Sequence, residues 1–337
     1  MLAALTLAVF AVALPGIAAA SAEMPTVTFV RAWGGLGEAP GQFDMPIGIA
    51  ISGTDELFVT DHYNDRIQRF DTEGKLLAVL PTRPNPSGIA ADAAGNLYVS
   101  HFAATKVGMN KPNASTCIVV YAADGRVIRE WGRQGTGEGE FDCPGGVAVG
   151  KDGRVYVADQ TNHRVQVFDQ EGKFLLKWGE YGNAPGQFGG MDAVYSRTGG
   201  PQFLALDASG SVWTTEGLNC RIQQFTGDGA FIRAWGDAEN QPGHLGGFFT
   251  WTDGKPSRLQ GAVGICVDNQ DRIWVSAVSG RVQLFSQDGT YIAGVGEGQG
   301  SGPGQFIVPH GIALDSKGHL FVVDAMNHRV QQFAVKE

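Results

Sequence analysis

The side chains best suited to chemistry in this 337-residue chain are its histidines, of which there are seven. His310 stands in Val308-Pro309-His310-Gly311, His101 follows the apolar run Asn96–Ser100, and His244 lies within the long stretch Asp237–Gln260. An imidazole changes charge near neutral pH, so it can ligate a metal ion or act as a general base. It can equally be an ordinary hydrogen-bonding group in a turn. Three that converge, with one position left open, make a catalytic zinc centre, and His101, His244 and His310 are the candidate set. His163 and His328 each precede an arginine and read as structural, and His319 reads as part of a hairpin turn. A second pattern pairs charges: an acid stands five residues before an arginine at Asp61/Arg66, Asp159/Arg164, Glu216/Arg221 and Asp324/Arg329. A catalytic pair would not be copied so often, so these are expected to be buried structural ion pairs. The copies that break the pattern are more informative. His101 and Cys117 replace acid and arginine in one, and Ser276 stands five before Arg281 in another.

These residues sit on a repeated unit, clearest between Cys143 and Gly179. Its apolar runs Gly146–Val149, Val155–Ala158, Val165–Phe168 and Phe174–Trp178 are bounded by Gly, Asp or Asn, which predicts four antiparallel strands. The third-strand arginine, or Cys117 in its place, recurs at intervals of 47 to 60 residues through six copies. Such a period predicts an all-β, six-bladed β-propeller with four antiparallel strands per blade. The last copy ends after its third strand. Val27–Gly34 nearly repeats the fourth-strand run Phe231–Gly236, so the N-terminal strand is expected to complete the last blade and close the ring. Starts of innermost strands and turns between second and third strands then share one face, around the channel mouth. Ile47, Ser87, Gly145, Gln202, a residue near Gly261–Ala262, and His310 are the expected lining.

The motif carried by Gly41-Gln42-Phe43-Asp44-Met45-Pro46, Pro185-Gly186-Gln187-Phe188 and Pro303–Pro309, with Asp61…Asn64…Arg66 and its copies, resembles NHL repeats across residues 27–335. That likeness implies the fold and leaves the function open. The chain is also distantly similar to the peptidyl-α-hydroxyglycine α-amidating lyases, in which three Pro-His steps at alternating inner strands hold zinc. Pro309-His310 matches one step, but Ser87 and Gln202 occupy the others, so two implied ligands are missing. Tyr63 resembles that family's catalytic tyrosine, in a turn one residue shorter. If a metal is held, His101 and His244 would have to replace the missing ligands, and the ion would be zinc or calcium.

Three long insertions, Phe102–Thr116, Gly189–Pro201 and Asp237–Gln260, emerge on the mouth face. Loops that enlarge one face usually build its binding surface. Phe102, Tyr195, Phe248, Phe249, Trp251 and Arg281 are therefore candidate ligand-binding residues, whereas Trp33, Trp131, Trp178 and Trp235 end fourth strands and read as packing. A net charge of −9 argues against nucleic acid and anionic membrane surfaces as partners. Residues 1–22 resemble a secretory leader ending in small residues, although no basic residue precedes the apolar run; an uncleaved anchor is the alternative. The expectation is a signal peptide over 1–22 and a monomeric propeller over 23–337, secreted or periplasmic. No membrane span remains after cleavage. Cys117 and Cys143 are close enough in the predicted fold for a disulfide, Cys266 reads as a buried thiol, and Asn113-Ala114-Ser115 has glycosylation spacing. The expected role is a recognition scaffold for a peptide, protein or small ligand at the mouth. The competing class is a metal-assisted lyase or hydrolase centred on His310.

Overall fold

Runs such as Leu57-Phe58-Val59-Thr60-Asp61 are buried on both faces, so each strand needs a neighbouring sheet above and below. Stacking sheets radially around an axis meets that need for every copy. The computed structural model describes residues 24–103, 114–189, 199–250 and 256–337, without the side chains of 248–250 and 256–260. Its first blade comprises β2 (Pro46–Ile51), β3 (Leu57–Asp61), β4 (Arg66–Phe70) and β5 (Leu76–Pro81). Blades two to four follow in the same order over Pro86–Trp131, Pro144–Trp178 and Pro201–Trp235, as β6–β9, β10–β13 and β14–β17. After a two-stranded hairpin, β18 (Phe248–Thr250) and β19 (Pro256–Gln260), comes the fifth blade, β20–β23, over Ala262–Val295. The sixth is β24 (Pro309–Leu314), β25 (Leu320–Asp324) and β26 (Arg329–Lys336).

The missing outer strand of that blade is β1 (Thr26–Gly34), antiparallel to β26 from Thr26↔Lys336 to Gly34↔Arg329. The first strand therefore closes the ring, as its sequence implies. Among the described residues six of the hydrophobic clusters each span two neighbouring blades. Each fully buried Phe or Leu in them contributes roughly 1.5–3 kcal/mol. The fourth-strand tryptophans also pack blade on blade. Trp33, Trp131, Trp178 and Trp235 lie against Gly74, Gly172, Gly229 and Gly289 of the next blade's outer hairpin. Those glycines have φ between 79° and 90°, and a Cβ would come within 2.7 Å of the indole, so two constraints exclude a side chain.

Inner strands approach even more closely. A Cβ on Gly48, Gly88 or Gly264 would lie 2.0–2.5 Å from the next blade's carbonyl oxygen. At four seams a buried hydroxyl bridges the same gap. Thr60, Ser100, Thr215 and Ser276 donate to the carbonyls of Ser87 (2.7 Å), Gly145 (2.5 Å), Val263 (2.5 Å) and His310 (2.6 Å). At the other two seams the equivalent residues are Ala158 and Val323. Among the described residues no helix is long and apolar enough to cross a membrane. The leader-like residues 1–22, Asn113, Tyr195 and Trp251 lie outside the described residues.

Candidate functional site

The repeated charges are a structural cage. Asp61 is fully buried and accepts Arg66 Nε (2.7 Å), Asn64 Nδ2 (2.9 Å), Gln68 Nε2 (3.2 Å) and the Asp44 amide (2.7 Å). Arg66 also donates to the carbonyls of Glu38, Ala39 and Gln42, tying the turn to the preceding inter-blade connection. The same bonds recur around Asp159/Arg164, Glu216/Arg221 and Asp324/Arg329, with Nε–carboxylate distances of 2.6–2.8 Å. Burial raises the pKa of each of these acids, and the surrounding donors pull it back.

Two blades lack the cage. In blade two His101 faces Cys117 in the same register. Its Nδ1–H donates to Pro84 O (3.1 Å), and its Nε2 accepts from the Tyr121 hydroxyl (3.2 Å), which accepts the Arg83 amide (3.0 Å). Burial lowers the His101 pKa to about 4, raises Tyr121, and raises Cys117 to about 11. The neutral chain thus replaces a charged one. In blade five the register pairs Ala277 with Arg281, while Ser276 pairs with Val282. The turn there is one residue shorter, so counting five residues back lands on the hydroxyl bridge of that blade. Ala277, not Ser276, holds the place of the acid.

The mouth is lined by the second residue of each inner strand: Ile47, Ser87, Gly145, Gln202, Val263 and His310. Val263 settles the position near Gly261–Ala262. His62 follows Asp61 in the adjoining turn. Its Nδ1–H donates to Pro86 O (2.9 Å), and its ring packs between Tyr63 (centroids 4.9 Å apart) and Phe102 (5.1 Å). After burial, the proximity of His62 helps to lower the pKa of both His101 and His310. His310 is half-buried, its Nδ1 has no partner among the described residues, and burial, then His62, lowers its pKa to about 4. Blade four carries Phe203 where the other blades have Gly48, Gly88, Gly146, Gly264 and Gly311. The Phe203 ring meets His310 edge-on at 6.3 Å and packs with Val263, Val278 and Val308. The mouth thus sets apolar Phe203 and Val263, on blades four and five, beside His310 and the buried polar side chains of His62, Ser87 and Gln202.

The candidate metal set is not brought together. Both His101 nitrogens are engaged. His244 occupies the repeated Pro-Gly turn, in the place of Gln42, where its Nδ1 meets Asp237 at 2.8 Å and its carbonyl accepts Gln283. Among the described residues no three His, Cys, Asp or Glu side chains stand as a metal-binding group. Cys117 and Cys143 are not joined by a disulfide; Cys117 meets the Ser115 hydroxyl at 3.2 Å. Tyr63 is half-buried, and its pKa is raised by burial and by Asp44. Phe102 joins the mouth, and Phe248 and Phe249 fall on β18. Arg281 lines a separate groove near the blade edge. His62 and Phe203 are the mouth residues that sequence reasoning missed. Each had a signal: His62 takes the turn position of Gln160, and Phe203 interrupts a column of glycines.

The NHL repeat model matches residues 43–70, 141–168 and 306–333, in blades one, three and six, and the chain carries NHL repeats on this six-bladed ring. The E3 ubiquitin-protein ligase TRIM32 of Mus musculus is 24% identical over 317 residues, covering 91% of this chain and 44% of that protein. NHL repeat-containing protein 3 of Mus musculus is 29% identical over 155 residues, 42% of this chain and 43% of that one. The chain thus spans less than half the length of these relatives. Among solved structures, virginiamycin B lyase from Staphylococcus aureus superposes with a TM-score of 0.56 at 15% identity, covering 92% of this chain and 99% of that one.

Proposed function

We propose that this chain is a recognition module that binds a peptide or protein segment on its loop-bearing face, with the mouth as the specificity recess. The observation that carries it is the aromatic cluster at the mouth: the His62 ring against Tyr63 and Phe102, and Phe203 against His310. The His310 imidazole, held neutral by burial, and the aromatic faces suit apolar and amide groups of a peptide. The negative charge disfavours nucleic acid. The likeness to TRIM32, an E3 ubiquitin-protein ligase, supports a propeller used for contacts with proteins. The leader-like residues 1–22 support a secreted or periplasmic setting, which N-terminal sequencing of the mature chain would test. Selection of a random displayed peptide library on the immobilised protein tests the function. Selected peptides should lose about tenfold in affinity with His62→Ala or Phe102→Ala, and nothing with Arg154→Ala on the opposite face. Equal binding by both mouth variants refutes the reading.

A second reading, lyase- or hydrolase-like chemistry centred on His310 with Tyr63, rests on the unpartnered Nδ1 of His310. It predicts a turnover abolished by His310→Ala.

A further inference from the structure

Blade five keeps the frame of the charge cage and lacks its anion. Arg281 holds the register of Arg66, Arg164, Arg221 and Arg329, and Gln283 holds that of Gln68. Gln283 still accepts the Gly243 amide (2.7 Å) and donates to His244 O (2.8 Å), so the turn beneath is built as in the other blades. The acid is absent, because fully buried Ala277 stands in its place. Among the described residues Arg281 Nε, which is buried, has no partner, nor does the hydroxyl of neighbouring Ser279. The sister arginines each reach three backbone carbonyls; among the described residues Arg281 makes a single bond, from Nη1 to the Asn240 side chain (2.5 Å). A buried guanidinium donor left without an acceptor is costly.

The guanidinium lines a groove of about 500 Å³ between blades five and six, together with Gln283, Tyr291, Phe29, Pro242 and Glu297. We infer that Arg281 is a receptor for an external carboxylate, an Asp or Glu side chain or a chain terminus of a bound polypeptide, which meets the groove-facing side of its guanidinium. The four intact cages fix the chemistry. Each seats a planar carboxylate against the arginine Nε at 2.6–2.8 Å, and the fork of a guanidinium matches two carboxylate oxygens. Tyr291 and Phe29 supply apolar walls for the side chain that carries it. The site lies in the groove between blades five and six and does not depend on the recess at the mouth.

The test is calorimetric titration of the whole protein with N-acetylglutamate α-amide, its glutamine analogue, and inorganic phosphate. The glutamate probe should bind saturably, the glutamine analogue should not, and Arg281→Gln should weaken binding by about tenfold or more. Ala277→Asp, which rebuilds the internal acid, should abolish binding with Arg281 still present. Because that variant introduces a buried charge and could fail to fold, Arg281→Gln, on the groove surface, decides alone if it does. His62→Ala should leave the titration unchanged, which separates this site from the mouth. No saturation with the glutamate probe, equal binding of the glutamine analogue, unaltered binding by Arg281→Gln, or phosphate binding in place of carboxylate each overturns the assignment.

Discussion

Replacing Arg66 with methionine should be among the most damaging single changes in the molecule, and the same change at Arg281 should be nearly silent. Arg66→Met keeps an apolar stem of similar length and removes only the head group. It deletes the 2.7 Å bond to Asp61 and the bonds to Glu38, Ala39 and Gln42. Three carbonyls at the blade rim can turn to water, but Asp61 cannot: its side chain is wholly inaccessible. Breaking such a pair from one side costs about 3–5 kcal/mol, mostly the penalty of an uncompensated buried charge. Arg281→Met removes one bond to an exposed asparagine, worth less than about 1 kcal/mol. Urea unfolding followed by tryptophan fluorescence reads the difference directly, since Trp213 and Trp274 are fully buried. Asp61→Asn in the Arg66→Met background should recover much of the loss. Equal destabilisation by the two methionine variants would mean that Arg281 is bound into the fold like its sisters, and the reasoning would fail.

Two further outcomes follow. His101 binds a proton near pH 6.5 when unfolded and near 4 when folded, so the unfolded chain takes up protons first on acidification. Stability present above pH 6.5 should fall by about 3 kcal/mol on reaching pH 4, and His101→Gln should remove that component; identical acid sensitivity in both proteins refutes the assignment. Thr60→Val should cost about 1 kcal/mol through the lost bridge to Ser87 O, and a cost-free substitution would show the bridge to be incidental.

The fold was legible because the signal repeats. Apolar runs, turn glycines and third-strand arginines return often enough to outvote local noise, and Val27–Gly34 betrays ring closure by resembling fourth strands elsewhere. The charge cages were legible for the same reason. What periodicity could not supply was position within a turn that changes length: one residue fewer between Ala277 and Arg281 misplaced the acid by one. Nor could it supply radius. His244 and His310 share a face, but the Pro-Gly turn holds His244 beside Asp237, away from the mouth, which no spacing reveals. Phe203 escaped because a single large residue among glycines is conspicuous only once the inner strands are aligned. His62 escaped because its neighbours Asp61 and Asn64 fit the motif and drew the reading past it.

The hydroxyl bridges have a consequence for how the wheel is held together. They fasten blade one to two and two to three, then four to five and five to six, and skip the junctions marked by Ala158 and Val323. Those two junctions lie opposite each other. Near the axis this fastening therefore parts the ring into two sets of three blades along a diameter, whereas apolar packing crosses both unbridged junctions. His310 and Ile47 stand on either side of one of those junctions, Gly145 and Gln202 on either side of the other.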